Sequence, residues 1–515
     1  MLLYIKDIIS IENYRNLSGI TFSFDDEINF IVGENDIGKT NLIEMLGRLL
    51  CSGRFDENDL YDRGKPVRIV FRIGLYKGEA DFFNIDVDME QGGECFLTII
   101  ACQEDIGSNL EYYNASSGES IDFRAISRFN YLYYPAIRAE KRERLTNTLK
   151  IDGQSLRDRL AEVTSSLKTD MPAVCDGLQF TQNICLRIIK LLAELKNEKD
   201  PEGFKRCLVA GSRGRKYLPL IIALDEPEIH QHPYRQRALI KSLKKILDNR
   251  NEQFTGIIKS LFGIDGFIGQ IFVVTHSPNI LLNDYRQIVR VYRENGGAAA
   301  ACGSLLEFDT DTRKHLISSF IYFKEAMFSN SIILVEGDTE FGAVPVFAQR
   351  LNIDLDAEGV GVVKMDGADG VLKYLSLLRA FKIKALAILD RDKERSYGGY
   401  PDIYFTRCSD FEEEVFEEYS FRQFLKLLAA IKRHSFLKHY LGATIKGFDG
   451  KAFTDDPLKY DIPPSVEDSI MPYIRKAALA ELRDAKNVIN GAFLAEYADN
   501  VPESFRQIIL KAVEA

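Results

Sequence analysis

The sequence predicts an α/β protein with two nucleotide- or metal-sized sites at strand ends, and three observations carry that expectation. Apolar runs such as Ile28–Val32, Leu218–Leu224 and Ile271–Val274 read as strands buried on both faces. They alternate with helical stretches, the pattern of a mostly parallel sheet. The first run enters Gly33-Glu34-Asn35-Asp36-Ile37-Gly38-Lys39-Thr40, which has the G-x-x-x-x-G-K-T spacing of a phosphate-binding loop. A fresh βα pattern then begins at Ser331-Ile332-Ile333-Leu334-Val335.

Length and composition set the outer bounds. A chain of 515 residues predicts two to four domains. An apolar fraction of 46% with 28% charged residues is that of a soluble globular protein, and no apolar run is long enough to span a bilayer. Met1–Ile5 is followed at once by Lys6 and Asp7, so it reads as a first strand rather than a signal peptide. The eight cysteines form no C-x-x-C pair, which points to free thiols in a reducing cytoplasm. A net charge of −10 excludes indiscriminate coating of nucleic acid; DNA contact then requires a local basic patch or metal ions held by carboxylates.

In chain order, Leu3–Ser10 and Gly19–Phe24 read as a hairpin leading into the strand of the phosphate loop. Gly33 and Gly38 allow the loop to curl, and a helix starts near Lys39. Val67–Ala101 alternates apolar and polar residues, as in an antiparallel sheet with turns at Tyr76–Gly78 and Gln91–Gly93. Phe129–Pro135 returns as a buried strand. Gln154–Lys196 has helical periodicity, with Leu156, Leu160, Val163 and Leu167 on one stripe. It reads either as an insertion that pairs with a second subunit or as a helical layer on its own sheet. Asn295–Gly303 is a hairpin tip or a connector. A helix is expected from Asp311 to Phe328, further strands at Val360–Met365, Ala385–Leu389 and Ile403–Phe405, and helices from Glu412 to Ala515. The expected domains are 1–145 with 206–325, an insertion at 146–205, and 326–515.

The first chemical set lies in the front half. Lys39 is placed to reach phosphates and the Thr40 hydroxyl to ligate Mg²⁺. Asp225 and Glu226 close a buried strand as a Walker B pair does, Asp225 toward the metal and Glu226 toward the attacking water. His276 ends another strand, where it would contact the terminal phosphate. Glu228–Pro233 carries two histidines without cysteine partners and reads as a packed turn. Together with Asn13-Tyr14-Arg15-Asn16 and Thr275–Pro278, this set resembles the ABC-type ATPases of the SMC, RecF and Rad50 group over about residues 1–310. The resemblance implies ATP held by Gly33, Asn35, Gly38, Lys39, Thr40, Asn41, Asp225, Glu226 and His276, and two heads that sandwich it. The L-S-G-G signature of that group is replaced by Leu208–Lys216, where Ser212 and Gly214 remain to cap a phosphate.

The second set lies in the rear half. Glu336 ends one strand and Glu340 opens the following helix; Asp390 and Asp392 end a later strand. Such acids can hold one or two Mg²⁺ ions, and paired ions stabilise both oxygens of a phosphodiester exchange. Asp410 and Glu412 extend the metal set, and Lys486 would neutralise the phosphate. This half resembles a Toprim domain over about residues 330–415. An ABC-type head followed by Toprim resembles the OLD (overcoming lysogenisation defect) nucleases, including the large subunit of Gabija anti-phage systems. The resemblance implies a DNA endonuclease using Mg²⁺ or Mn²⁺, catalytic Glu226, Glu336, Asp390, Asp392 and Lys486, control by ATP, a homodimer or tetramer, and a partner such as a UvrD-like helicase. Arg138–Arg144 and Lys432–His439 are the candidate DNA-backbone tracks. The competing reading is an ATP switch that gates a partner through a non-cleaving Toprim module. A topoisomerase or primase is more distant, because no tyrosine nucleophile stands out beside the acids.

Overall fold

The structure is a computed structural model; it describes residues 3–76, 89–91, 94–135, 150–151, 154–155, 176–198, 201–229, 231–365, 367–417 and 419–514. It divides into two compact units, Met1–Arg313 and Lys314–Ala515, so the break falls ahead of the 325/326 boundary expected from sequence.

The first unit holds two large sheets. In the antiparallel one, β1 (Tyr4–Glu12) lies between β2 (Phe22–Ser23) and β4 (Val67–Tyr76), and β6 (Glu94–Gln103), β7 (Glu111–Asn114) and β8 (Ser120–Ile121) follow outward, with β5 (Met89–Gln91) on β6. The alternation of Val67–Ile73 buries Val67, Ile69, Phe71 and Ile73 on one face, as a one-sided sheet requires. The turn expected at 76–78 falls largely outside the described residues, as does the basic stretch 138–144. The second sheet is centred on β3 (Ile28–Gly33), which lies between β15 (Ile271–Val274) and β16 (Ile288–Glu294), all parallel. β13 (Lys216–Asp225) pairs in parallel with β15, with β9 (Asn130–Tyr134) and with β14 (Gly266–Ile268). β12 (Val209–Ala210) and β17 (Gly297–Cys302) run antiparallel at its margins. The small-residue stretch is therefore a hairpin: Asn295 and Gly296 make the tip and the alanines form β17.

Gln270, fully buried just before β15, ties the two sheets. Its side-chain carbonyl accepts the Ile5 N–H at 2.8 Å, and its amide donates to the Ile5 and Asp25 carbonyls at 3.0 and 2.7 Å.

Two sequence expectations change here. Gln154 and Ser155 belong to a short strand, β11 (Gln154–Ser155), paired with β10 (Lys150–Ile151); 156–175 lies outside the described residues, and the helix proper is Asp176–Glu198. The helix expected over 311–328 is broken into Thr310–Ser319 and two short 3₁₀ turns, Phe320–Tyr322 and Glu325–Phe328. The Ser318 and Ser319 hydroxyls both donate to the His315 carbonyl at 2.8 Å, a local bond that competes with the helical ladder.

The second unit is a parallel four-stranded sheet in the order β19 (Val360–Lys364), β18 (Ser331–Val335), β20 (Lys384–Leu389), β21 (Ile403–Phe405). Helices α1 (Asp338–Arg350), α2 (Phe411–Phe416), α3 (Phe421–Ala430), α4 (Leu437–Thr444), α5 (Pro464–Asp484), α6 (Val488–Tyr497) and α7 (Glu503–Val513) follow, as the sequence predicts for this region. α1 and α6 cross backbone to backbone. A Cβ on Gly342 would stand 1.9 Å from the Val488 carbonyl oxygen, and one on Gly491 1.9 Å from that of Thr339. Glycine at both positions is what lets the start of α6 approach the first turn of α1.

Candidate functional site

In the front unit, β3 ends at Gly33 and a helix, Lys39–Gly47, begins after Gly38. Gly38 has φ +106°, in the left-handed region, and no side chain caps the helix, so its first N–H groups face the loop. The Lys39 ammonium folds back onto the Gly33 carbonyl at 3.0 Å and the Glu34 carbonyl. Burial lowers its pKa to about 8, against the pull of Glu226 and Asp225. The Thr40 hydroxyl lies 3.2 and 3.3 Å from the two Asp225 oxygens, so the loop and the strand-end acid meet. Burial raises Asp225 to about 6, partly countered by the Thr40 hydrogen bond. Asn41 is engaged by Arg15, which donates to its side chain at 2.6 Å, while Asn35 is exposed in the loop.

Glu226 takes a left-handed φ of +43° after the strand, and its carboxylate stands 3.5 Å from His276 Nε2. Burial, then the nearby Lys39 charge, lowers the His276 pKa, against the pull of Glu226. Three contributors escaped the sequence reading as site residues. Arg15 also pairs with Glu44 and the buried Asp59. The Tyr133 hydroxyl lies 3.4 Å from Asp225. Glu228 accepts the Thr275 hydroxyl and the His276 N–H, each at 2.7 Å. Arg15 and Glu228 had a signal, their places in Asn13–Asn16 and in the stretch that follows Asp225 and Glu226; Tyr133 had none. Ser212 is not brought to this site within the chain: its turn precedes β13, whereas Asp225 ends that ten-residue strand, roughly 30 Å away at ~3.3 Å per residue. His230 lies outside the described residues, and His232 stacks on Tyr234.

In the rear unit, β18 and β20 are neighbours, so Glu336 and Asp390 leave the same sheet edge; the Asp390 N–H lies 3.4 Å from Glu336 Oε2. Glu340, 5% exposed in the first turn of α1, accepts the Gly337 N–H at 3.1 Å. Burial raises Glu340 to about 7, assisted by Glu412. Burial also raises Asp390 to about 7, with Glu340 and Glu336 adding to it and Lys486 opposing it. Burial alone would lower Lys486, but Glu412, Glu340, Asp390 and Asp410 outweigh it and raise the pKa.

Glu412 is the distinctive member. It is 0% exposed, neither carboxylate oxygen has a hydrogen bond, and Lys486 Nζ approaches only to 3.6 Å. Two residues on, the buried Glu414 is provided for by the Ser504 hydroxyl and the Arg407 N–H. Buried carboxylate oxygens without donors are costly unless a cation faces them. Among the described residues no three acidic, histidine or cysteine side chains already converge as a ready ligand set. The all-oxygen donors Glu336, Glu340, Asp390 and Glu412 nevertheless suit a hard divalent cation.

Two expected ligands stand elsewhere. The chain turns into a 3₁₀ segment, Arg391–Lys393, which swings Asp392 outward: its side chain is 63% exposed and pairs with Lys393 at 3.1 Å. Asp410 caps α2 by accepting the Glu413 N–H and holds Arg483 at 2.6 Å, so both of its oxygens are engaged. Among the described residues no helix is long and apolar enough to cross a membrane.

Comparison with known proteins finds two family models in this chain. Residues 5–171 and 181–281, just over half the chain, match the family described as AAA ATPase domain. Residues 327–392 match the overcoming lysogenization defect protein-like TOPRIM domain. The Old nuclease of Escherichia phage P2 is 24% identical over 263 residues, 48% of this chain and 40% of that protein. The chain thus spans well under two thirds of that relative. Among solved structures, the C-terminal region of the Burkholderia pseudomallei OLD protein is similar at 18% identity, covering 36% of this chain and all of that one with a TM-score of 0.22. The SMC head domain from Thermotoga maritima is similar at 15% identity, covering 59% and 100%, with a TM-score of 0.31. This chain belongs to the family described as AAA ATPase domain, and behind that unit it carries an overcoming lysogenization defect protein-like TOPRIM domain, with Glu336 and Asp390 at one sheet edge.

Proposed function

We propose that the chain is a divalent-metal-dependent DNA endonuclease whose ATPase unit regulates it. The observation that carries the reading is Glu412: a wholly buried carboxylate with no hydrogen-bond donor, beside Glu340 and Asp390, each held at about 7. Glu336, Glu340, Asp390 and Glu412 would hold Mg²⁺ or Mn²⁺. When bound, such ions supply Lewis-acid stabilisation of the attacking and leaving oxygens of a phosphodiester. Lys486, 3.6 Å from Glu412, would neutralise the developing phosphate charge. Asp410 holds Arg483 in place beside it.

In the ATPase unit, Lys39 would exchange its two backbone carbonyls for phosphate oxygens, and Thr40 and Asp225 would hold Mg²⁺. Glu226 would orient water, and His276 beside it would contact the terminal phosphate. The cytoplasmic setting rests on the scattered, unpaired cysteine pattern, and the anti-phage role, the homodimer or tetramer and the UvrD-like helicase partner rest on the family resemblance. Ser212, remote from the Asp225 end of its own chain, fits a site completed by a second copy.

The test is incubation of the purified chain with supercoiled plasmid, with and without Mg²⁺ or Mn²⁺ and ATP. Nicking that needs metal and disappears in Asp390→Ala, with ATP binding intact, is expected; undiminished nicking by that variant overturns the reading. A non-cleaving ATP switch is the second reading, favoured by the outward turn of Asp392. Plasmid left intact under every metal, by protein that still binds ATP, would select it.

A further inference from the structure

The helical extension after the Toprim sheet carries a feature that the carboxylate site does not use. From Lys432 to Phe448 the chain has four lysines and arginines (Lys432, Arg433, Lys438 and Lys446), two histidines and no acid, in a protein of net charge −10. Within this stretch Tyr440, on α4, stacks on Tyr473 of α5 with ring centroids 5.2 Å apart and planes at 28°. Tyr440 is half-buried, so packing accounts for it. Tyr473 is 54% exposed, an aromatic face in water beside the exposed Lys476. Along α5, Tyr473, Lys476 and Arg483 fall at i, i+3 and i+10, on one side of the helix. Arg483 reaches Asp410, and Lys486, two residues past the end of α5, reaches Glu412.

We propose that the Tyr440–Tyr473 pair is a stacking platform for an unpaired base, and that this face of α5 leads single-stranded DNA toward the carboxylate site. The inference rests on the nuclease reading and adds the class of substrate, a frayed or single-stranded end. Exposed aromatic rings flanked by cations bind single strands because each base presents a π-face and the backbone presents phosphates. The run from Tyr473 to Arg483 spans about 15 Å at ~1.5 Å per residue. At ~3.4 Å per stacked nucleotide, the platform engages a base roughly four or five nucleotides from the bond to be cut.

The sequence contains no tryptophan, so Tyr473→Trp installs a single indole reporter. The full chain carrying Tyr473→Trp and Asp390→Asn is titrated in EDTA with an oligo(dT) strand labelled for anisotropy, which separates binding from cleavage. Quenching of the indole in step with the anisotropy rise is expected. In a Tyr473→Ala chain, affinity for the strand should fall about 10-fold, with Tyr473→Phe restoring it and duplex affinity nearly unchanged. Binding without indole quenching, an unaltered affinity in Tyr473→Ala, or no binding of the strand by the unsubstituted chain each overturns the platform. Circular dichroism of Tyr473→Ala confirms that an affinity loss does not come from unfolding. Quenching by a protein that never cuts DNA would sink the nuclease reading and leave the platform standing; plasmid nicking with no effect of Tyr473→Ala on strand binding does the reverse.

Discussion

Asp390→Asn is expected to stabilise the metal-free protein at pH 8 even as it abolishes cleavage. Burial, with Glu340 and Glu336 alongside, moves Asp390 from 3.8 to about 7, and Glu340 moves from 4.5 to about 7. Both folded carboxyls therefore hold their protons more tightly than the unfolded chain does. Stability is fully present below about pH 4, falls as pH rises from there to about 7, and is flat above that. At ~1.36 kcal/mol per pKa unit the Asp390 shift alone corresponds to about 4 kcal/mol. The carboxylates and Lys486 titrate as a set, and Asp390 is only half-buried, so roughly 2 kcal/mol is the working figure. For a unit of this size that is a melting shift of roughly 4–8 °C. The assay is thermal melting in EDTA across pH 4 to 8, comparing the unsubstituted chain with Asp390→Asn. The variant should melt higher at pH 8, the difference should vanish near pH 4, and Mn²⁺ should stabilise the unsubstituted chain more than the variant. A variant that melts lower at pH 8, or a difference that does not depend on pH, refutes the claim that burial holds the Asp390 carboxyl protonated in the folded state.

Three further outcomes follow from the geometry. Lys39→Ala should weaken binding of a fluorescent ATP analogue about 10- to 100-fold, the worth of one charge-assisted phosphate contact, without altering the melt of the rear unit. Gly491→Ala should cost about 2 kcal/mol or more, because its Cβ meets the Thr339 carbonyl oxygen at 1.9 Å; nicking per folded molecule should also fall, and unchanged nicking would show that the helix crossing does not position Lys486. Arg15→Ala should destabilise the front unit by about 2 kcal/mol in urea unfolding, since it removes the charge-assisted bonds to Glu44, Asn41 and Asp59 and leaves the buried Asp59 with Arg48 as its one remaining cation among the described residues; Arg15→Lys should recover only part of this, because one ammonium cannot span Glu44, Asp59 and Asn41.

What could be read from sequence was what local chemistry decides. Gly33, Gly38 and Lys39 lie within one turn, so their spacing alone dictates a loop that faces its backbone N–H groups inward. Apolar runs that stop abruptly at Asp225, Glu336 and Asp390 mark the carboxyl ends of parallel strands. Side-chain direction beyond a strand end was not legible. The D-x-D spacing implies two acids on one face only if the strand continues, and here it turns at Arg391. The burial of Glu412 was equally hidden, because its nearest cation, Lys486, lies more than 70 residues away in sequence. The long helix expected over 311–328 failed for a local reason that periodicity ignores, the two serines bonding back to His315.

The clasp made by Gln270 gives the front unit a gear. Its amide engages both backbone groups of Ile5 and the Asp25 carbonyl, immediately ahead of the strand that delivers His276. Sliding that strand along its axis would strand these groups away from water, on the order of 1–3 kcal/mol for each. A displacement of His276 along that strand would therefore be resisted at Gln270, and its load would pass to the antiparallel sheet through Ile5.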